Sequence, residues 1–284
     1  MSRVPLPDAG LIALDVQRAL TEDVGSGDVS ADLIDPNEIA RAVVIAREPG
    51  VLCGLPWAHL CLLTLDPNAR IENHAEDGDL LAANGPILTI TGRARALLSA
   101  ERSMLNFVQT LSATASVTRR YVEALAGFHC RVLDTRKTLP GLRHAQKYAV
   151  RCGGGVNHRM GLYDQVLIKE NHIVAAGSIA AAVAAARRLH PALKVEVETE
   201  TLAEFEQALA AHADRIMLDE FSLADMHQAV ALNRGRAELE VSGSVTLDTL
   251  KAFAATGVDY ISVGALTKHV HALDLSMRIV QRGN

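Results

Sequence analysis

The stretch Lys194-Val195-Glu196-Val197-Glu198-Thr199-Glu200-Thr201-Leu202-Ala203-Glu204-Phe205, succeeded ten residues later by Arg215-Ile216-Met217-Leu218-Asp219, decides the fold. Its β-branched run predicts a strand, and Thr201 with Glu204 has the capping-box spacing that opens a helix through Ala210. The second apolar run begins the next strand. One strand, a polar loop, a helix and another strand make a βα unit.

The same grammar recurs through the second half of the chain. Candidate strands are Arg131–Leu133, Val166–Ile168, Lys194–Val197, Arg215–Leu218, Leu239–Val241 and Tyr260–Val263. Helices are predicted from Ser178 through Leu189, over Phe205–Ala210 and over Leu247–Ala255, the last preceded by Thr246 and closed by Gly257. Strands joined by helical crossovers form a parallel sheet, either a closed barrel or an open doubly wound sheet. The residue types at the C-terminal end of each strand separate the two. The runs end at Asp134 with Arg136 and Lys137, at Lys169 with Glu170 and Asn171, at Glu198, at Asp219, at Ser242-Gly243 and at Gly264. A barrel gathers all such ends on one face, whereas an open sheet concentrates ligand binding at one switch point. Polar or glycine residues at all six ends favour a barrel of six visible strands, with room for a seventh.

The first half reads as an α+β region. Leu11–Leu20 is a candidate helix, Ala42–Ala46 and Pro86–Thr91 are candidate strands, and Ala94–Leu111 is a long helix carrying Arg102. Gly and Pro punctuate it at Pro49-Gly50, Gly54, Gly78 and Gly85-Pro86. A boundary near Ser112–Ala115 gives an N-terminal sandwich over 1–113 and a barrel over 114–269. The tail 270–284 is free to pack back on the first domain.

Charge is distributed unevenly. Between Arg131 and Lys169 the balance is +6 in a chain of net charge −5, so the remaining residues sum to −11. That contrast points to a cationic pocket for a small polyanion, since nucleic-acid binders carry general positive charge. Aromatic residues are only 4% of the chain, which leaves few platforms for stacking bases. Cys53, Cys61, Cys130 and Cys152 form no C-x-x-C pair, and the N-terminus does not resemble a signal peptide. These features predict free thiols and a cytoplasmic location. The small-residue run Ala180–Ala186 is too short to span a bilayer. Neither a nucleic-acid nor a membrane partner is expected.

Competing motifs are weak. Gly153-Gly154-Gly155 lacks the third glycine of a dinucleotide fingerprint, and no P-loop or H-E-x-x-H occurs. His269 and His271 lack acidic or Cys partners nearby, and Cys152 beside Arg151 reads as a structural thiol.

Seven strings together carry a family resemblance. They are Ala100–Asn106, Asp134–Thr138, Gly153–Arg159, Leu167–His172, Glu196–Glu198, Leu218-Asp219 and Ser262–Thr267. In this order they resemble quinolinate phosphoribosyltransferase, also called nicotinate-nucleotide pyrophosphorylase. The resemblance implies an incomplete α/β barrel of six or seven parallel strands preceded by an α/β sandwich domain. It also implies a homodimer with a shared active site, leaving higher assembly open. The implied reaction joins quinolinate to phosphoribosyl pyrophosphate and gives nicotinate mononucleotide, pyrophosphate and carbon dioxide in NAD biosynthesis.

The residues suit that chemistry. Guanidinium groups grip carboxylates through paired hydrogen bonds, which fits Arg102, Arg136 and Arg159 to a planar dicarboxylate. By resemblance Arg102 reaches in from the neighbouring subunit, and Lys137, His158 and Lys169 line the junction of the two substrates as catalytic electrostatic groups. Glu198 and Asp219 offer oxygen ligands for Mg²⁺, directly or through water. The bland alternative is that they cap helices. Ser242, Gly243 and Gly264 offer backbone N–H groups to the 5′-phosphate, where the alternative is a plain βα turn. One departure stands in that loop, Ser244 where many relatives carry glycine. Two other readings remain, a phosphoribosyltransferase for another aromatic acid and a noncatalytic binding protein. The first should have altered Arg102, Arg136 or Arg159, and the second should have lost some of Lys137, Lys169, Glu198 or Asp219. All seven are present.

Overall fold

Hydrophobic alternation builds the first sheet of the computed structural model, which describes residues 4–282. The outermost residues of the expected first domain and tail, 1–3 and 283–284, lie outside the described residues. Helix α1 (Ala9–Asp23) precedes β1 (Ile39–Ala46), β2 (Gly50–Val51), α2 (Leu55–Leu65), β3 (Arg70–Asn73), β4 (Leu80–Leu81) and β5 (Pro86–Arg93). On β1, Ala40, Ala42, Val44 and Ala46 are buried while the residues between them are not. That period of two turns one face of the strand into a core. Trp57, Leu62, Ile87 and Ile90 fill the same core at no measurable exposure, and the Trp57 indole donates to Asp15 at 3.1 Å.

A single helix, α3 (Ala94–Ala124), runs through the expected boundary at Ser112–Ala115. Beyond it come β6 (Arg131–Leu133), α4 (Arg143–Cys152), β7 (Val166–Ile168), α5 (Glu170–Ala176), α6 (Ile179–Leu189), β8 (Val195–Thr199), α7 (Leu202–Ala210) and β9 (Arg215–Asp219). The chain finishes with α8 (Leu223–Asn233), β10 (Glu238–Ser242), α9 (Leu247–Ala255), β11 (Tyr260–Ser262), α10 (Ala265–Lys268) and β12 (Leu275–Arg282).

Two compact units result. The first holds residues 4–119, 138–154 and 266–282, and the second holds 120–137 and 155–265. This division differs from a cut between 113 and 114, because Ala145, Tyr148, Ala149 and Cys152 on α4 belong to the first hydrophobic core. Leu273, Leu275 and Met277 join them there. The first unit's antiparallel sheet has the order β12-β1-β5-β3, so the last strand pairs with the first.

In the second unit six parallel strands lie in the order β6-β11-β10-β9-β8-β7. The two strands earliest in sequence, β6 and β7, are therefore the two edges, and the barrel is open between them. At the free side of β6 one residue, Val156, makes a lone parallel bridge to Leu133, all that stands at the seventh position among the described residues.

The crossover helices begin where the sequence signals them. Thr201 accepts from the Glu204 N–H at 3.2 Å, and the Glu204 carboxylate accepts in return from the N–H of Thr201 and of Glu200. Ser178 caps α6, Ser222 caps α8 and Thr246 caps α9. Each cap satisfies an N–H that the first helical turn leaves without a partner.

Candidate active site

Side chains on a strand alternate between faces, so residues two apart share one. In the second unit Glu196 and Glu198 on β8, Arg215, Met217 and Asp219 on β9, and Glu238, Glu240 and Ser242 on β10 form such sets. The register keeps them together: Glu196 pairs with Arg215, Glu240 with Met217, and Ser242 with Asp219. Tyr260 and Ser262 on β11 continue the row, Glu240 standing opposite Tyr260. The set grows more exposed toward the strand ends, with Glu196 and Glu240 buried but Glu198, Asp219 and Ser242 half-buried.

The deep layer is ionic. Arg215 pairs with Glu238 at 2.9 Å and with Glu240 at 3.1 Å, and its guanidinium lies 4.3 Å from the centre of the Tyr260 ring. Glu240 also accepts from the Ser262 hydroxyl, and Glu196 from the Gln165 amide at 2.6 Å. Burial raises both carboxyls to about 7: Glu196 is offset in part by Arg215 and Arg159, and Glu240 is pushed further by Glu196 and offset by His158. Arg215 is itself held in its charged form by these glutamates, against the effect of its burial. One guanidinium shared with Glu238 does not balance two buried carboxyls, so the pair retains a proton near neutral pH. Glu196 Oε1 has no hydrogen-bond partner among the described residues.

His158 sits on this layer. Its Nε2 lies 3.1 Å from Glu196 and 3.5 Å from Glu240, while its Nδ1 accepts the Arg159 N–H at 2.6 Å. Nε2 is thus the ring nitrogen that faces the two carboxyls as a donor. The backbone around it is clamped by Asp134, fully buried at the end of β6, which accepts the His158 N–H at 2.9 Å and the Asn157 amide.

Cationic groups gather above. Arg136 and Arg159 are half-buried and near enough that the Arg136 charge, after burial itself, lowers the pKa of Arg159. Two guanidinium groups held against their own repulsion make a receptor for an anion. Lys137 is exposed, and its stem passes over Gly264, where an added Cβ would stand 3.0 Å from Lys137 Cδ. Lys169 forms an ion pair with Glu198. The Asp219 carboxylate makes no hydrogen bond or ion pair with any described residue, which leaves its oxygens available. The N-caps of the helices after these strands are Thr201 and Ser222, so neither Glu198 nor Asp219 serves as a helix cap.

The loop after β10 requires its glycine. Gly243 has φ +98°, and a Cβ there would fall 2.4 Å from Glu220 Cδ. Ser244 takes the left-handed conformation at φ 35° without being glycine, and its hydroxyl donates to Glu220 at 3.2 Å. Glu220, at the end of β9, is left-handed too. The departure at Ser244 is thus a strained position whose side chain forms a local bond.

Ten of the eleven expected residues, Arg136, Lys137, His158, Arg159, Lys169, Glu198, Asp219, Ser242, Gly243 and Gly264, belong to the second unit. Arg102 is exposed on α3 in the first. Asp134, Glu196, Arg215 and Glu240 were not among the expected residues. A signal for two of them existed, since a glutamate between two apolar residues in Val195-Glu196-Val197 and Leu239-Glu240-Val241 is unusual for a strand buried on both faces. Sequence patterning does not tell whether such a residue has partners. His269 and His271 are exposed, and the buried thiols of Cys61 and Cys130 are both pushed up to about 12, mainly by burial.

An open parallel barrel with an ionic interior and paired guanidinium groups at its mouth defines an enzyme fold built for anionic substrates. Residues 28–112 match the family model described as quinolinate phosphoribosyl transferase, N-terminal domain, and residues 114–278 match that of its C-terminal domain. A probable nicotinate-nucleotide pyrophosphorylase [carboxylating] of Synechocystis is 44% identical over 270 residues, covering 94% of this chain and 92% of the relative. The Mycobacterium leprae nicotinate-nucleotide pyrophosphorylase [carboxylating] is 43% identical over 272 residues, covering 92% and 95%. The solved structure of the nicotinate-nucleotide pyrophosphorylase from Francisella tularensis superposes with a TM-score of 0.95 at 46% identity, covering 98% of this chain and 99% of that one. The chain belongs to the quinolinate phosphoribosyltransferase family.

Proposed function

We propose that this chain transfers the phosphoribosyl group of phosphoribosyl pyrophosphate to quinolinate with decarboxylation, giving nicotinate mononucleotide, pyrophosphate and carbon dioxide on the route to NAD. The observation that carries the reading is the Arg136–Arg159 pair in a unit whose sequence and fold are those of the family. A planar dicarboxylate carries the charge that two neighbouring guanidinium groups attract, and their forked donors set the ring's orientation. Arg102 of a second subunit completes the grip in a homodimer.

No nucleophilic side chain is required. The ring nitrogen's lone pair forms the bond to ribose C1 while the C1–O bond breaks and pyrophosphate leaves with its electron pair. The pyridinium nitrogen then draws the electrons of the bond to the adjacent carboxylate, carbon dioxide departs, and the ring carbon takes up a proton. The protein contributes orientation and charge stabilisation. Lys137 and Lys169 offset diphosphate and carboxylate charge, while the Ser242-Gly243 and Gly264 backbone receives the 5′-phosphate. Glu198 and Asp219 would hold Mg²⁺, and the unbonded Asp219 carboxylate suits a hard cation that prefers oxygen. When bound, that ion neutralises the leaving diphosphate. We place the chain in the cytoplasm, in keeping with four buried free cysteines and with no single helix, among the described residues, long and apolar enough to cross a membrane.

Pyrophosphate release from purified protein, phosphoribosyl pyrophosphate and Mg²⁺ tests this, with quinolinate and nicotinate compared. Turnover with quinolinate and none with nicotinate is the expected result. Equal turnover would remove the demand for a second carboxylate, and turnover undiminished by a chelator would remove the metal.

A further inference from the structure

The imidazole of His158 is buried. Its side chain is only 7% exposed, and both of its nitrogens are engaged inside the protein, Nε2 by the carboxyls of Glu196 and Glu240 and Nδ1 by the Arg159 N–H. Those carboxyls are themselves anchored. Arg215 and Ser262 hold Glu240, Gln165 holds Glu196, and Asp134 holds the backbone of His158 from the other side. The chain of contacts thus begins in the barrel interior and ends at the residue that carries one of the two guanidinium groups.

We propose that His158 is a positioning residue, a strut between the buried carboxyls of Glu196 and Glu240 and the backbone of Arg159, which sets the Arg159 guanidinium for a substrate carboxylate. The proposal rests on the quinolinate reading for the identity of that carboxylate. It differs from the expectation that His158 contributes its own charge beside the substrate. Glu196 and Glu240 act one step further back, by keeping the proton on Nε2 and the ring in its plane. The arrangement has the logic of outer groups that orient the residues touching a ligand.

Asparagine separates the two roles, because its amide oxygen falls where Nδ1 stands and still accepts the Arg159 N–H, while it carries no charge. Quinolinate titrated calorimetrically into the full-length protein should bind about tenfold more weakly to His158→Ala, the size expected for one lost positioning contact at an ionic site. His158→Asn should recover most of that loss. In a double-mutant cycle, His158→Ala should add little once Arg159→Ala is present, because residues acting through one another do not contribute additively. If His158→Asn is as weak as His158→Ala and the two losses add, the imidazole acts on the substrate by itself and the strut is wrong. Glu240→Gln, which keeps the shape of the side chain, should raise KM for quinolinate with little change in KM for phosphoribosyl pyrophosphate. An equal rise in both would also overturn the assignment. Imidazole ¹⁵N shifts of the free protein test the strut without substrate: the Nε2–H tautomer supports it and an Nδ1–H tautomer sinks it. A wild-type protein with that tautomer but no affinity for quinolinate would refute the proposed reaction while leaving the strut in place.

Discussion

Glu240 is a strand residue with no access to solvent, and its ionisation is set by Glu196, His158, Ser262 and Arg215 around it. Its pKa is raised from 4.5 to about 7, so across that interval the folded chain binds more proton than the unfolded one. Stability linked to this group is therefore present below pH 4.5 and is lost as pH rises through 7. Glu240→Gln removes the titration, and its melting temperature relative to wild type should climb between those two pH values. A constant difference in scanning calorimetry would show that Glu240 ionises normally. Gly243 belongs to the same scale. With φ +98° and Glu220 lying where a Cβ would go, Gly243→Ala should cost about 1–2 kcal/mol of stability, the usual penalty for a left-handed L residue. It should also raise KM for phosphoribosyl pyrophosphate more than KM for quinolinate, since the loop is the proposed 5′-phosphate site; the reverse order would move the phosphate elsewhere.

Elements inherit their limits from single residues. Helix α7 starts at Leu202 because Thr201 and Glu204 satisfy each other's backbone N–H groups, and the strand before it delivers Glu196 and Glu198 to the site. Thr201→Ala should lower stability by about 1 kcal/mol, seen as a lower urea midpoint, with kcat unchanged because the cap touches no site residue. An unaltered midpoint would mean that tertiary packing alone fixes the helix start. The six strands to within two residues, the Thr201–Glu204 capping box and the Gly257 stop were legible in the chain, since each rests on contacts within a few residues. The extent of α3 was not. Ser112–Ala115 reads as a boundary when two domains are expected, yet helical hydrogen bonds run only four residues and carry no information about which core lies beneath them. Residues 138–154 show the same gap between local and distant information: α4 is amphipathic on its own account, but only packing assigns Tyr148 and Cys152 to the first core.

At the scale of the whole molecule the proposed reaction uses Arg102 and Lys169 together, and the proposed homodimer supplies Arg102 from the partner. Arg102→Ala and Lys169→Ala proteins, each inactive, should regain up to about a quarter of wild-type activity when mixed, because random exchange makes half the dimers mixed and each mixed dimer holds one intact site. No recovery after mass spectrometry has verified subunit exchange would place Arg102 outside the site. The linear sequence by itself determined the βα grammar, the chemistry of the six strand ends, the cationic window and the family, since these depend on residue order, spacing and type. Tertiary structure alone decided that β12 closes onto β1, that the barrel stays open between β6 and β7, and that Glu196, Glu240, Arg215 and His158 meet in its interior. The physical reason is distance along the chain. A glutamate in a strand is costly or useful according to what faces it from strands twenty to forty residues away, and that pairing comes into being only when the sheet curls and water leaves.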